Sequence, residues 1–151
     1  MLTGRELEAR HEIALDNYTT MIRIESRVMG DLALNHIIPV AIRYQNILIN
    51  NVKGLKAIFG ESEYKKSAKN QLEMISNISN HIQTIIENAE LMRVERKRIN
   101  NLETAEERAK QYSDKVKPFF DVIRKSVDKL ELMVDDEMWP LPKYRELLFT
   151  K

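Results

Sequence analysis

The stretch YKKSAKNQLEMISNISNHIQTIIENAELM, residues 64–92, decides the fold. Tyr64, Ala68, Leu72, Ile75, Ile78, Ile82, Ile85, Ala89 and Met92 recur every three or four positions, the spacing that lines side chains along one face of an α-helix. This is the clearest amphipathic helix in the chain. It runs on into Arg93, Arg96, Lys97 and Arg98, cations at the end where the helix dipole favours them, and Asn100-Asn101 supplies a turn. On its N-terminal side Gly60 suits a left-handed position past a helix end, and Ser62 suits a cap for the helix that follows.

Upstream, Thr3 and Glu6 have the spacing of a capping box, so a long helix is expected from about Arg5. Its seam reads Leu7, His11, Ala14, Tyr18, Met21, Glu25, Val28 and Leu32, with Ile13, Ile22, Ile24 and Met29 to the sides. The pattern resumes through Leu34, Ile37, Ile38, Ala41, Tyr44, Leu48, Val52, Leu55 and Phe59. No cluster of turn residues surrounds Gly30-Asp31, so the helix should continue, with a kink near residues 35 to 39 where Pro39 removes a hydrogen bond. Residues 5 to 59 would span about 80 Å at 1.5 Å per residue, leaving part of the helix projecting beyond its domain.

Downstream, Thr104 and Glu107 repeat the capping-box spacing and open a third helix. Ala105, Ala109, Tyr112, Val116, Phe119, Ile123, Val127, Leu130 and Val134 face inward, and Pro118 should bend it. The expected fold is all-α: a bundle of three long antiparallel helices, or four if the kink near Pro39 divides the first, in a single domain over residues 1–151. A short helix should follow Trp139-Pro140-Leu141-Pro142, with Pro142 at its first position and Tyr144, Leu147, Leu148 and Phe149 to bury.

Composition narrows the function classes. Four glycines and four prolines in 151 residues suit a few long helices rather than many strands. The formal net charge is +1 with both signs interspersed, so no global field favours nucleic acid or a membrane surface. The absence of cysteine removes disulfides, thiolate catalysis and thiolate metal sites. No leader-like apolar run opens the chain and none approaches about 18 apolar residues, so a cytoplasmic location is expected.

No stretch names a reaction. Glu8 and His11 make half of a di-iron carboxylate motif, but residues 33 and 78, three before His36 and His81, are Ala and Ile. The Arg93 to Arg98 cluster could contact phosphates, yet Glu95 dilutes it and a solvated helix end explains it. Phosphate loops and hydrolase or zinc motifs are absent, so no catalytic, cofactor-binding or metal residue is assigned.

Two stretches carry more. Around the kink, Asn35 or His36 could satisfy a freed backbone carbonyl; alternatively Asn35, His36, Arg43 and Tyr44 could make an interdomain or intersubunit contact. In the tail, Asp135, Asp136 and Glu137 oppose the dipole of the third helix and call for three or more Lys or Arg from elsewhere. Trp139 and Leu141, with Tyr144, form a stiff apolar anchor that suits either a staple on the chain's own bundle or a partner. These ten residues are the candidate interface.

The run Ile24-Glu25-Ser26-Arg27-Val28-Met29-Gly30-Asp31, continuing through Asn35-His36-Ile37-Ile38-Pro39 to Arg43-Tyr44-Gln45-Asn46, resembles the region after the catalytic domain of type III glutamine synthetases. The tail from Val127 to Phe149 resembles the C-terminus of the same family, while residues 60 to 125 match in length and helical character. The resemblance implies a parent enzyme that makes glutamine from glutamate, ammonia and ATP with Mg²⁺ or Mn²⁺, assembled as a dodecamer of two stacked hexameric rings. It implies that this segment lacks the catalytic residues, is inactive alone, and packs on its own catalytic region or on neighbouring subunits; Met1 then reads as an introduced start. An independent helical scaffold or adaptor that binds a partner helix is the alternative, and an enzyme with a site hidden in the bundle core is a third reading.

Overall fold

The computed structural model describes residues 3–143. Thr3 caps the first helix as its spacing requires: its side chain accepts from the Glu6 N–H while the Glu6 carboxylate accepts from the Thr3 N–H at 2.7 Å. From there α1 (Gly4–Asp31) passes without a break into a π-helical turn (Leu32–Ile37) and on into α2 (Ile38–Ser67). The connection at Gly30-Asp31 is helical, as the lack of turn residues implies.

Both prolines inside helical patterns are handled in the same way. The N–H of Ile38 donates to the carbonyl of Ala33, five residues back, immediately before Pro39. The N–H of Lys117 likewise donates to Tyr112, immediately before Pro118, in a second π-turn (Tyr112–Val116) that joins α4 (Ala105–Gln111) to α5 (Lys117–Met133). A widened turn relieves the contact between a proline ring and the preceding turn, a clash that costs about 3 kcal/mol in a regular helix. The irregularity expected at residues 35 to 39 thus lies at Leu32–Ile37.

Gly60 reverses the chain. Its φ of 75° and ψ of −179° fall where only glycine is comfortable. Helix resumes at once as far as Ser67, pauses at Ala68, and continues as α3 (Lys69–Asn100). Ser62 therefore does not cap α3; Ala68 stands at its start, with no side-chain cap.

The two sides of this reversal stay in one antiparallel register for their whole shared length. Gln45 reaches the Ile75 carbonyl and Ser79, Asn51 meets Gln71, and farther back Ser26 meets Arg96. After a turn at residues 101–104, capped by Thr104 accepting from the Glu107 N–H, α4 and α5 run back along α3. The result is three rods, up, down and up.

The core follows the stripes of the second and third rods. Ile78, Ile85, Met92 and Ile99 from α3 meet Tyr112, Val116, Ile123 and Leu130, all fully buried. Each such side chain contributes about 1.5–3 kcal/mol relative to exposure. The first helix departs from its expected seam. Thr19, Ile22, Ser26 and Ala33 are buried, while Leu7, Met21 and Val28 are exposed, so the inward face lies one position round from the apolar spacing. Small residues occupy it because Ser26 and Gly30 lie against Arg96 and Met92 of α3.

Both ends of the bundle outrun the third rod. Residues 3–14 are exposed throughout, including Ile13 at 60 %. At the opposite end Ala68 is the one buried side chain between residues 49 and 77, and Ile58 is 76 % exposed. The projection expected of the first helix is present, and the hairpin around Gly60 projects as well.

Candidate functional site

The tail closes one end of the core. Past Met133 the backbone at Val134 turns extended, so α5 stops before the acids instead of carrying them in its last turn. Asp135 accepts from the Glu137 N–H at 2.7 Å and its carbonyl accepts from Met138 and Trp139. Asp136 pairs with Lys143 of the same tail. Lys143, itself buried, also donates to the Val134 carbonyl at 2.8 Å and lies 5.9 Å from the centre of the Trp139 ring.

Trp139 is buried in the chain's own core, as a staple would be. Leu141 takes a different position. It lines a groove of about 560 Å³ between α1 and α5, whose walls include Ile24, Val28, Leu32 and Ile37 on one side and Phe120 and Val127 on the other. Glu25, Arg124 and Asp128 also line it, but the surface is mostly apolar. The exposed Met21, Ile24 and Val28 extend this apolar face along α1. Such a mostly apolar, open surface has the character of a contact patch.

The remaining candidate residues are distributed more widely. Asn35 donates to Asp31 at 2.6 Å and the His36 ring lies 4.0 Å from the same carboxylate, so these side chains meet a neighbouring acid rather than a freed carbonyl. Arg43 is exposed and Tyr44 is half-buried against the core. Tyr144 and the short helix expected after Pro142 lie outside the described residues. The structure thus brings Leu141 together with the start of the kink segment, and leaves Asp135, Glu137 and Arg43 on the surface.

Sequence reasoning missed Phe120, Arg124 and Asp128 of the groove. Their signal was present in the spacing 120, 124, 127/128 beside the inward stripe, but only the packing of α1 against α5 shows what it lines. A Ser–His pair also emerges, with His81 Nδ1 3.4 Å from Ser126 Oγ. Burial, and secondarily the charge of Lys129, hold the imidazole below its usual range. Ser126 is buried, and the pair lines a recess with Lys125, Asp128 and Lys129. Among the described residues no three His, Asp or Glu side chains gather to hold a metal, and no helix is long and apolar enough to cross a membrane.

Comparison with known proteins gives this surface a family. A family described as "Glutamine synthetase C-terminal domain" matches residues 1–56. A glutamine synthetase of Bacteroides fragilis (strain YCH46) is 47% identical over 146 residues, covering 97% of this chain and 20% of that protein. A type-3 glutamine synthetase of Dictyostelium discoideum is 26% identical over 100% of the chain and 20% of its own length. A glutamine synthetase of Butyrivibrio fibrisolvens is 24% identical over 99% of the chain and 21% of its own length. The chain thus spans about a fifth of the length of the curated relatives it matches. Over nearly its whole length the chain is thus similar to about a fifth of these glutamine synthetases, one of them named type-3, and its first 56 residues match the family's C-terminal domain.

Proposed function

We propose that this domain is a noncatalytic packing element of a type III glutamine synthetase, and that the groove between α1 and α5 seats the catalytic region of its own subunit or of a neighbour. The parent enzyme would join ammonia to glutamate at the expense of ATP, with Mg²⁺ or Mn²⁺, in the cytoplasm as a dodecamer. The domain would supply no reacting group to that chemistry. One observation carries the reading: the groove joins the two stretches by which the chain resembles the family, residues 24–37 on one side and Val127, Asp128 and Leu141 on the other, with Phe120, Ile123 and Arg124 completing the wall. The other four-fifths of the relatives' length offers a covering surface for an apolar face that the described residues leave open. An independent adaptor would use the same face, but the matches to glutamine synthetases favour the intramolecular partner.

The test is Ile24→Asp with Val28→Asp in the full-length enzyme. Both side chains are exposed in the domain, so the isolated 151 residues should keep their helical circular dichroism. In the full enzyme, light scattering should find smaller assemblies, or limited proteolysis should release the domain. Unchanged assembly together with unchanged protease resistance would overturn the proposal.

A further inference from the structure

Opposite register brings together cations that are far apart in sequence. Arg23 and Arg27 lie one turn apart on α1, and Arg93, Arg96 and Lys97 face them from α3, around a small cavity of about 100 Å³ that Asn100 closes. Arg93 is engaged on two nitrogens by Glu90. Among the described residues no carboxylate lies within ion-pair distance of Arg23, Arg27, Arg96 or Lys97. Four cations thus share a recess with no carboxylate in direct contact, and the charge of Glu90 reaches only Lys97 among them.

The recess is also ordered from below. The fully buried Ser26 donates to the Arg23 carbonyl at 2.8 Å and accepts from Arg96 Nη1 at 3.1 Å, which fixes one guanidinium. The fully buried Tyr112 donates to Asn100 Oδ1 at 2.7 Å, which occupies the acceptor end of that amide and leaves its N–H groups available. The polar side chains around the cavity are therefore donors, with the amide and one arginine held by buried hydroxyls. Burial, followed by the charges of Arg27 and Arg93, lowers the pKa of Arg96, the cost of crowding these cations.

We propose that the recess formed by Arg23, Arg27, Arg96, Lys97 and Asn100 binds a small tetrahedral oxyanion of the phosphate class. Planar guanidinium forks match the oxygen spacing of phosphate, and the cavity suits a single such group. A nucleic acid strand would require a basic stripe, whereas Glu90 and Glu95 flank this cluster on α3. The phosphate can be free or the terminal group of a nucleotide, and the two sources are separable by experiment.

The 151-residue chain is titrated with inorganic phosphate and, separately, with ADP, against chloride at equal ionic strength, following the Asn100 side-chain amide by NMR and the melting temperature. Saturable shifts with phosphate or ADP, absent with chloride, are expected. Tighter binding of phosphate identifies the free ion, and tighter binding of ADP identifies the nucleotide. Arg27→Gln, at an exposed position, should weaken binding by about tenfold, the loss of one charge-assisted contact. Arg96→Gln should do the same, with circular dichroism reporting whether it still folds. Equal responses to phosphate, ADP and chloride would overturn the assignment, as would unchanged affinity in Arg27→Gln.

Discussion

Lys143 donates from Nζ to the carbonyl oxygen of Val134 at 2.8 Å, nine residues earlier, and so ties the tail to the residue that ends α5. The same ammonium meets Asp136 and covers the Trp139 ring. Lys143→Ala removes a buried charge-assisted donor and leaves a carbonyl without it, which should cost about 1–3 kcal/mol in urea unfolding. Lys143→Arg should recover only part of this, because a planar fork does not reproduce the geometry of a single ammonium.

Thr19 should be improvable. Its hydroxyl is buried and, among the described residues, finds no hydrogen-bond partner, although its β-branched frame fits the contact face of α1. Thr19→Val keeps the shape and removes the unpaired polar atom. The expected gain is about 1 kcal/mol, read as a higher urea midpoint with an unchanged slope.

The π-turn before Pro118 predicts a non-additive pair. Deleting Ser113 takes one residue from the widened turn and returns it to regular helix, keeping the inward phase of Ala109 and Ile123 on either side. Pro118 would then stand inside a regular helix, at a cost of about 3 kcal/mol. Pro118→Ala should therefore stabilise the Ser113 deletion by about that amount and the intact chain by much less, a coupling measurable in a double-mutant cycle.

His81 sets a pH dependence. Its lowered pKa means that the folded state binds a proton less readily than the unfolded chain, whose imidazole titrates near about 6.5. The associated stability is complete above that pH and is lost as pH falls through the folded-state pKa below it. Wild-type protein should therefore lose more stability than His81→Gln between about pH 7.5 and pH 5.5, as read from paired urea titrations.

These residues also mark what the sequence could convey. The stripes from Ala68 to Met92 and from Ala105 to Val134 were legible because strong apolar periodicity and close packing coincide there. Gly60 and Thr104 were legible because their backbone chemistry is local. The face of α1 was misread by one position because contact with α3 selects small residues, Ser26 and Gly30, over the larger Met21 and Val28. The groove and the arginine recess were hidden for a related reason. Each joins segments of unremarkable local pattern whose meeting depends on register between helices, which no single segment encodes.

The hairpin that outruns the third rod has a mechanical consequence. From residue 46 to Gly60 it extends about 20 Å at 1.5 Å per residue, with its base held where α3 packs on α5 while its far end, among the described residues, rests only on itself. Tilting such a lever by about 5° at the base would carry its end through nearly 2 Å, on the order of one helical residue's rise. A slight adjustment where α3 packs on α5, around Ile78 and Leu130, would therefore be felt as a displacement of Ile58 and Phe59, which makes the arm a gauge of how firmly its base is seated.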